Sequence, residues 1–305
     1  MLPSRAGHPA LLAETGPPPH PAPWHPSLGA CSGVAAHAYP RRRVVRAGEV
    51  VEWRGQRARV RPRDADVAEL VPLPGSPPLS AAFVRRCADT LVGRGFREIV
   101  TGALAPQEAH GFVDAGFERR EHLCLLVHDL GVLAAVDDAH VELIRKPRRT
   151  ERPAVLAVDA LAFQPFWRID DRGLDDAAAA TPVSRFRVAG PPPRAGSVAG
   201  APSEGRRAEL AAYAISGRAG RRGYVQRLAV HPHHQRAGIG RALVLDGLHW
   251  MRRRRVELAL VNTQVDNAPA LGLYESLGFR PDSHGLDVFA LRLQPPAPAA
   301  ATGLL

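Results

Sequence analysis

The chain has 305 residues, 45% of them hydrophobic and 23% charged, so it can bury a core and has room for two domains of ordinary size. Its formal net charge is +10, but Lys146 is the only lysine among 40 basic residues. Such an excess of arginine, together with abundant Ala, Pro and Gly, is typical of a GC-rich genome. The charge therefore argues only weakly for nucleic acid as the main partner, and a phosphate-bearing ligand suits it as well.

The cysteines and the apolar runs favour a cytoplasmic protein. Cys31, Cys87 and Cys124 are widely spaced and form no CxxC motif, which is typical of a reduced protein. No apolar run approaches the length of a membrane span, and the short "PALLA" near the N-terminus is too brief for a signal peptide. We therefore expect a cytoplasmic location without membrane association.

The predicted elements alternate between helices and strands. Residues 1–40 and 295–305 are low in complexity, and we expect the first of these segments to be disordered. A hairpin around Gly55 comes next, followed by a helix over 79–95, the strand "FREIVTGAL", the helix "PQEAHGFVDAG" and the strand "HLCLLVHDL". A second unit begins near residue 138 with the helix "ERPAVLAVDALAFQPFW" and the strands "SRFRVAG", "RAELAAYAISG" and "GYVQRLAV". It continues with a helix from about 240 to 254, the strand "VELALV", a helix over 268–277 and the strand "LDVFALRL". This order is typical of an α/β fold.

The stretch "VHPHHQRAGIGRALVL", from Val230 to Leu245, is the most informative in the chain. It is not a P-loop, because Arg and Ala follow Gly240 where Lys and Ser or Thr are needed. It does not fit a dinucleotide fingerprint either, because Leu243 stands where the third glycine would be. Gly238 and Gly240 lack Cβ atoms, so backbone N–H groups at the start of the next helix can approach an anion closely. The stretch therefore predicts a pyrophosphate site.

A metal site is the alternative that the histidines raise. His231, His233 and His234 lie close together on a predicted loop, but no acidic or thiol ligand lies beside them. Their spacing gives no clear tetrahedral arrangement. We therefore interpret them as solvated loop histidines and predict no metal.

The same stretch resembles the Q/R-x-x-G-x-G/A signature of the GNAT superfamily of N-acetyltransferases. The flanking segments "YVQRLAVHP" and "NTQVDNAPALGLYESLGF" are similar to that family as well. The resemblance covers residues 138–294 and is tightest from Tyr224 to Phe279. It implies a mixed central sheet flanked by helices. It also implies transfer of an acetyl group from acetyl-CoA to an amine, either a small molecule or a protein N-terminus, by direct attack.

The resemblance also implies a role for each site residue. The backbone of Leu228, Ala229 and Val230 would pair with the pantetheine arm, and the Leu228 N–H would polarise the thioester carbonyl. Asn267 would contact the cofactor, and Tyr274 would donate a proton to the departing thiolate. The residues that would surround the pyrophosphate are Gln235, Arg236, Ala237, Gly238, Ile239, Gly240 and Arg241.

Several of these assignments have structural alternatives. Asn267 precedes a helix with Pro at its second position, so it could serve only as an N-cap. Tyr274 lies on an apolar helical face and could be a core aromatic. The general base is open, because Asn262 stands where some relatives have a glutamate, and Asp266, Glu209, a histidine or water could serve instead. A weak base would suit an amine of low pKa, such as an α-amino group at about 7.7–8.0.

The N-terminal half resembles a degenerate copy of the same module. Gly116-Phe117 and Gly278-Phe279 are 162 residues apart (278 − 116), and strand, helix and "GF" recur in the same order. We therefore divide the chain into modules at 41–137 and 138–294, with chance similarity as the alternative. Phe112 and Ala105 replace Tyr274 and Asn267 in the first copy. Three prolines in "VPLPGSPPLS" remove backbone N–H groups that a pyrophosphate needs, so we expect no CoA binding there.

Two other functions stay open at this stage. The chain could be an acyl-CoA-binding regulatory or scaffolding protein without catalytic activity. A basic nucleic-acid-binding protein is a third, less favoured interpretation, and it predicts steep salt dependence of polynucleotide binding. The acceptor amine and the oligomeric state cannot be derived from these residues.

Overall fold

A computed structural model provides the structure of residues 48–136, 138–191 and 210–294. The predicted disordered segment 1–40, the tail 295–305, Cys31 and Glu209 lie outside these ranges. The strands are β1 (Glu49–Trp53), β2 (Gln56–Pro62), β3 (Val67–Pro72), β4 (Glu98–Thr101), β5 (Glu118–His128), β6 (Ile144–Arg145), β7 (Val183–Ala189), β8 (Ala212–Ala219), β9 (Arg222–Val230), β10 (Leu258–Gln264), β11 (Arg280–Pro281) and β12 (Leu286–Arg292). The α-helices are α1 (Ala81–Gly93), α2 (Pro106–Val113), α3 (Asp138–Val141), α4 (Arg152–Ala162), α5 (Asp171–Ala179), α6 (Ile239–Arg253) and α7 (Ala268–Ser276).

The strands form one mixed sheet with helices on its faces, which confirms the predicted α/β fold. Its order is β1-β2-β3-β4-β12-β5-β10-β9-β8-β7-β6, with β11 paired to β5 beside this path. β3 pairs with β4 in parallel, and β9 pairs with β10 in parallel, while the other neighbours are antiparallel. Each half of the chain therefore contributes a four-stranded block of the same topology, β1 to β4 and β7 to β10.

The two blocks are joined by an exchange of strands. β12, the last strand of the chain, lies between β4 and β5, with Ala290 opposite Val100 of β4. β5, the last strand of the N-terminal half, pairs along six residues with β10 of the other half, from Leu123 to His128. Because each block is completed by a strand from the other half, neither sheet is whole without both halves.

The internal repeat is visible in local geometry at the offset of 162 residues. Gly116 and Gly278 both end a helix with φ of 92°, a left-handed conformation that favours glycine. The following phenylalanines pack edge-on against the preceding helix in both copies. Phe117 lies 5.3 Å from the ring of Phe112, and Phe279 lies 5.5 Å from the ring of Tyr274. These matches support the two-module division, whose boundaries stay a prediction.

Separate apolar clusters lie on the two faces of the sheet. α1 and α2 pack on the N-terminal block through side chains such as Phe83 and Phe112. α6 and α7 pack on the C-terminal block through side chains such as Leu248 and Tyr274. α4 and α5 cover the opposite face of β7 and β8, where Tyr213 is fully buried.

The observed elements differ from the predicted ones in the segment that precedes β7. The predicted helix over 151–167 ends at Ala162, because Gln164 precedes Pro165 and adopts an extended ψ of 154° that proline favours. A short 3₁₀-helix then spans Pro165–Trp167. The sequence patterns give no expectation for β3, β6, β11, α3 or α5.

The strand exchange predicts that both halves unfold together. Phe83→Ala in the N-terminal block and Leu248→Ala in the C-terminal block each remove a fully buried side chain, at a cost of about 3–5 and 2–5 kcal/mol respectively. We expect calorimetry to show one endotherm, shifted down by either change. Val132→Ala, at a side chain that is 89% exposed, is the control and leaves it unchanged. Two endotherms that respond separately would contradict the shared fold.

Candidate active site

A cleft opens between β9 and β10, although these strands begin as a parallel pair. Their pairing covers only Arg222 to Tyr224 on β9 and Leu258 to Leu260 on β10. Just beyond it, the register between β8 and β9 skips Gln226, so this residue forms a β-bulge. A bulge bends its strand and increases the local twist. β9 therefore diverges from β10 and leaves part of its backbone edge without a neighbouring strand.

Backbone N–H groups along β9 point alternately to the two sides of the strand, and this determines which of them face the cleft. His231, just after the strand, donates its backbone N–H to Ala211 on the β8 side at 2.8 Å. Successive residues of a strand point their N–H groups in opposite directions, so those of Ala229 and Arg227 also face β8. The N–H of Leu228 faces the opposite way, toward the cleft that its side chain also lines. The geometry therefore makes the predicted donor available.

The cleft has a volume of about 150 Å³ and brings together several of the predicted residues. Leu228, Asn267 and Tyr274 line it, and so does Asn262, where some relatives have a glutamate. Asp266, a candidate base, is exposed and lines neither this cleft nor the larger cavity beside it. The candidate base Glu209 lies outside the described residues.

The loop before α6 has the geometry of an anion cradle. Arg236 and Gly238 both have positive φ, 61° and 79°, and Gly238 is the N-cap of α6. No side chain caps this helix, and its first turn has no acidic residue. The backbone N–H groups of Ile239, Gly240 and Arg241 are thus the free donors of a helix N-terminus, which attract an anion. This arrangement fits the pyrophosphate of CoA.

Contacts around the loop hold it in this shape. Ile239 is buried in the core and anchors the start of α6. The Gln235 amide donates to the Val230 carbonyl at 3.3 Å, and His140 Nε2 lies 2.8 Å from the Ala237 carbonyl. A Cβ at Gly240 would lie 3.3 Å from Val230 Cγ2, closer than ordinary contacts. Only a residue without a side chain therefore fits there easily.

Asn267 acts as a helix cap in this structure. Its side-chain oxygen accepts the N–H of Ala270 at 3.3 Å, and its amide donates to Thr263 Oγ1 at 3.1 Å. The structural alternative for this residue is thus realised, while its contact with the cofactor stays a prediction.

Tyr274 is 5% exposed and combines the two interpretations made from the sequence. Its ring belongs to the core cluster under α7, and its side chain also lines the cleft. No hydrogen bond to its hydroxyl is found among the described residues, so the hydroxyl can serve a ligand. Burial raises the pKa of Tyr274, which keeps it protonated through neutral pH.

A buried ion pair beneath the cleft was missed by the sequence analysis. Arg227 binds Asp159 of α4 through two nitrogens, at 2.6 and 2.9 Å. Tyr213 donates to the same carboxylate at 2.5 Å, and Arg227 also donates to the Trp167 carbonyl at 2.7 Å. Asp159 is fully buried on the apolar face of α4, beside Val155. A single acidic residue on an apolar helical face is the sequence pattern that could have indicated a buried ion pair. The pair fixes the α4–α5 loop over β9.

The corresponding region of the N-terminal half is closed. β3 and β4 stay paired to Thr101, the last residue of β4, so no cleft opens between them. A Cβ at Gly111 of α2 would lie 1.8 Å from the Leu79 carbonyl oxygen, so helix and loop are in direct backbone contact. The residue of α7 that corresponds to Gly111 is Leu273, and its side chain lies between α7 and Gly240. The N-terminal copy therefore leaves no space for a pantetheine arm between these elements.

Two kinds of site have no candidate in residues 48–136, 138–191 and 210–294. No group of three His, Cys, Asp or Glu side chains in them is arranged to hold a metal ion. None of the helices there has the length and apolar character that a membrane crossing requires.

Comparisons with known proteins agree with this geometry. Residues 159–279 match the family model described as the acetyltransferase (GNAT) family. A mycothiol acetyltransferase of Acidothermus cellulolyticus is 48% identical over 58 residues, 19% of this chain and 18% of that protein. An N-alpha-acetyltransferase 30 of Xenopus laevis is 36% identical over 80 residues, 24% of this chain and 29% of that protein. The chain thus covers less than a third of the length of either relative.

The fold of most of the chain is also similar to that of a solved tandem protein. The structure titled "Tandem GNAT protein from the clavulanic acid biosynthesis pathway (without AcCoA)" superposes with a TM-score of 0.53 at 15% identity. The match covers 79% of each chain. At this identity the similarity concerns the fold, and it supports the tandem arrangement of the two halves.

The Asp159–Arg227 pair yields a prediction about stability. Asp159→Asn leaves the Arg227 cation in a buried site without its counter-charge, at a cost of about 3–5 kcal/mol in the free energy of unfolding. Denaturant unfolding monitors the loss. Glu257→Gln breaks the exposed pair with Arg221 and serves as the control, with little change expected. Equal effects of both variants would show that the buried pair does not organise the loop.

Proposed function

We propose that the chain transfers an acetyl group from acetyl-CoA to an amine, because residues 159–279 match the model of the acetyltransferase (GNAT) family. One observation carries this proposal. Leu228 and Tyr274 line the cleft between β9 and β10, and the Leu228 side chain also lies beside the uncapped start of α6, 4.0 Å from the place of a Cβ at Gly240. An anion cradle, a strand edge and a proton donor therefore meet in one place.

Each part of the site has a distinct task in the proposed reaction. The N–H groups at the start of α6 bind the pyrophosphate, and the free edge of β9 from Leu228 to Val230 pairs with the pantetheine arm. A neutral amine attacks the thioester carbon, and the Leu228 N–H stabilises the oxyanion that forms. When the C–S bond breaks, the sulfur leaves as a thiolate and takes the proton of the Tyr274 hydroxyl. The amine loses its proton to solvent or to a base.

The comparison of the two halves supports an enzyme over an inactive CoA-binding regulator. In the N-terminal half the cleft is closed and the tyrosine is replaced by Phe112. In the C-terminal half the cleft is open and the tyrosine hydroxyl is retained without a structural hydrogen bond among the described residues. The C-terminal half therefore retains the group that a proton transfer to the departing thiolate needs.

Gly240→Leu tests the CoA site. The new side chain would meet Val230 and Leu273 and would displace the first turn of α6, so we expect affinity for acetyl-CoA to fall more than tenfold by calorimetry, on the order of 1.4 kcal/mol. Gly93→Leu is the matched control, because this helical glycine has open space around it and lies on α1 in the other half. Unchanged affinity in the Gly240 variant with a normal melting temperature would remove the pyrophosphate assignment.

Tyr274→Phe tests the proton donor. The ring and its packing are kept, so we expect stability and acetyl-CoA affinity to change little while kcat falls roughly 10²–10⁴-fold. The raised pKa of Tyr274 keeps the hydroxyl protonated from pH 6 to 9, so the loss is the same across this range. Tyr224→Phe, on β9 outside the cleft, is the control and keeps full kcat. If both variants turn over like the parent chain, the thiolate leaves without help from Tyr274.

A further inference from the structure

A second cavity of about 190 Å³ adjoins the cleft and is built from both halves of the chain. The two spaces are adjacent, because five residues line both of them: Leu123, Trp167, Gln226, Arg227 and Asn262. One wall is β2 and β3 of the N-terminal block, and the other is α5 with the loop that precedes it. This cavity is the space next to the proposed site of acetyl transfer.

The N-terminal wall carries a row of arginines that the sequence pattern of β2 explains. Ala58 and Val60 are buried in the core under α1, so the alternate residues Arg59, Arg61 and Arg63 face the opposite side of the strand. We call these three residues the arginine row. Arg61 binds Asp176 of α5, and Arg63 donates to the Phe166 carbonyl, so the row holds the α4–α5 segment in place.

The cavity has more positive than negative side chains. It is lined by six arginines and three carboxylates: Arg59, Arg61, Arg63, Arg168, Arg172, Arg227, Glu69, Asp170 and Asp176. All three carboxylates are engaged, because Glu69 and Asp176 bind Arg61, and Asp170 caps α5 at Gly173 N.

The surplus cations lie on both walls. Arg59, Arg168 and Arg172 have no carboxylate within 4.0 Å in the described part of the chain. The Arg63 side chain is 26% exposed, and it shares Glu69 with Arg61, with 3.7 Å between Arg63 Nη1 and Glu69 Oε1. Burial lowers the pKa of Arg63, and the nearby cations Arg61, Arg120 and Arg227 lower it further against the opposing effect of Glu69. A bound anion would relieve this surplus of positive charge.

The other end of the cavity has an unsatisfied acceptor. Gln226 is 7% exposed, and its amide nitrogen donates to Thr181 Oγ1 at 3.1 Å. Thr181 donates its own proton to the Val183 carbonyl, which fixes the orientation of the glutamine amide. The Gln226 side-chain oxygen then has no donor in the described residues. A ligand N–H beside the cleft would complete this hydrogen bond.

We propose that the acceptor is a small amine that carries a carboxylate or phosphate, with its anionic group on the arginine row and its nitrogen at Gln226. This inference depends on the proposed acetyl transfer and adds the class of acceptor to it. The amine nitrogen lies at the junction of cavity and cleft, next to the Leu228 N–H. The anionic group lies between Arg59 and Arg63 on one wall and Arg172 on the other.

Matched pairs of amines test the proposal with the full-length chain and acetyl-CoA. The pairs are β-alanine with β-alaninamide and phosphoethanolamine with ethanolamine, and a short peptide with a free N-terminus is added. Release of free CoA gives kcat/KM for each amine. We expect the anionic member of at least one pair to be preferred about 10- to 100-fold, since a charge-assisted hydrogen bond is worth that much.

Arginine variants connect this preference to the cavity. Arg63→Gln should raise KM for the anionic amine about tenfold and leave the calorimetric affinity for acetyl-CoA unchanged. Arg172→Gln, on the exposed side of α5, gives the same test if the first variant folds poorly. Arg221→Gln is the control, because the Arg221 side chain is 74% exposed and does not line the cavity. We expect this variant to keep the preference for the anionic amine.

The outcomes separate this inference from the proposed function. Three results would overturn this inference and leave the proposed acetyl transfer intact. They are equal use of neutral and anionic amines, a preference for the peptide, and a preference for anionic amines that survives both arginine variants. The inference would also be wrong if the chain binds acetyl-CoA but turns over no amine and is not thermally stabilised by the anionic amines. A chain that does not bind acetyl-CoA would remove the proposed function and this inference together.

Discussion

The pairing of β5 with β12 at the centre of the sheet is the constraint on which the rest of the structure depends. Each of these strands completes the block of the other half, so the two halves are held in one relative position. That position puts the β2 face opposite α5 and lets Arg61 reach Asp176 across 115 residues of chain. The cavity beside the cleft is thus a product of the exchange, and neither half could form it alone.

The two halves show how one topology gives an open or a closed site. In both halves a helix connects the two parallel strands, and the helix that follows the second strand ends in the same Gly-Phe turn. A single inserted residue, the Gln226 bulge, accompanies the divergence of the strands in the C-terminal half. In the N-terminal half the strands stay paired, and Gly111 lets α2 touch the loop backbone at Leu79. Small local differences therefore decide which copy has an open cleft between its parallel strands.

Local signals in the sequence predicted most of the helices and strands and the glycine-rich turn before α6, because these features depend on neighbouring residues. The spaced glycines at 238 and 240, the apolar periodicity of α6 and the repeated Gly-Phe turn all act within a few residues. The cavity beside the cleft depends instead on contacts between residues that are far apart in the sequence. Asp159 meets Arg227 over 68 residues, and the alternating arginines of β2 would be an ordinary solvated face without α5 opposite them. β3 was missed because Glu69, a charged residue, is buried in it.

The arrangement of charges also bears on how the amine loses its proton. Asn262 supplies no base, and the carboxylates that line the cavity are engaged by arginines or by the start of α5. Positive charge near a bound ammonium group disfavours its protonated form and lowers its pKa, but the anionic group of the proposed acceptor opposes this effect. An α-amino group with a pKa of about 8 needs only a small shift to be mostly neutral at pH 7, whereas a lysine at about 10.4 needs a large one. Of these two amines, the α-amino group therefore makes the smaller demand on a base at this site.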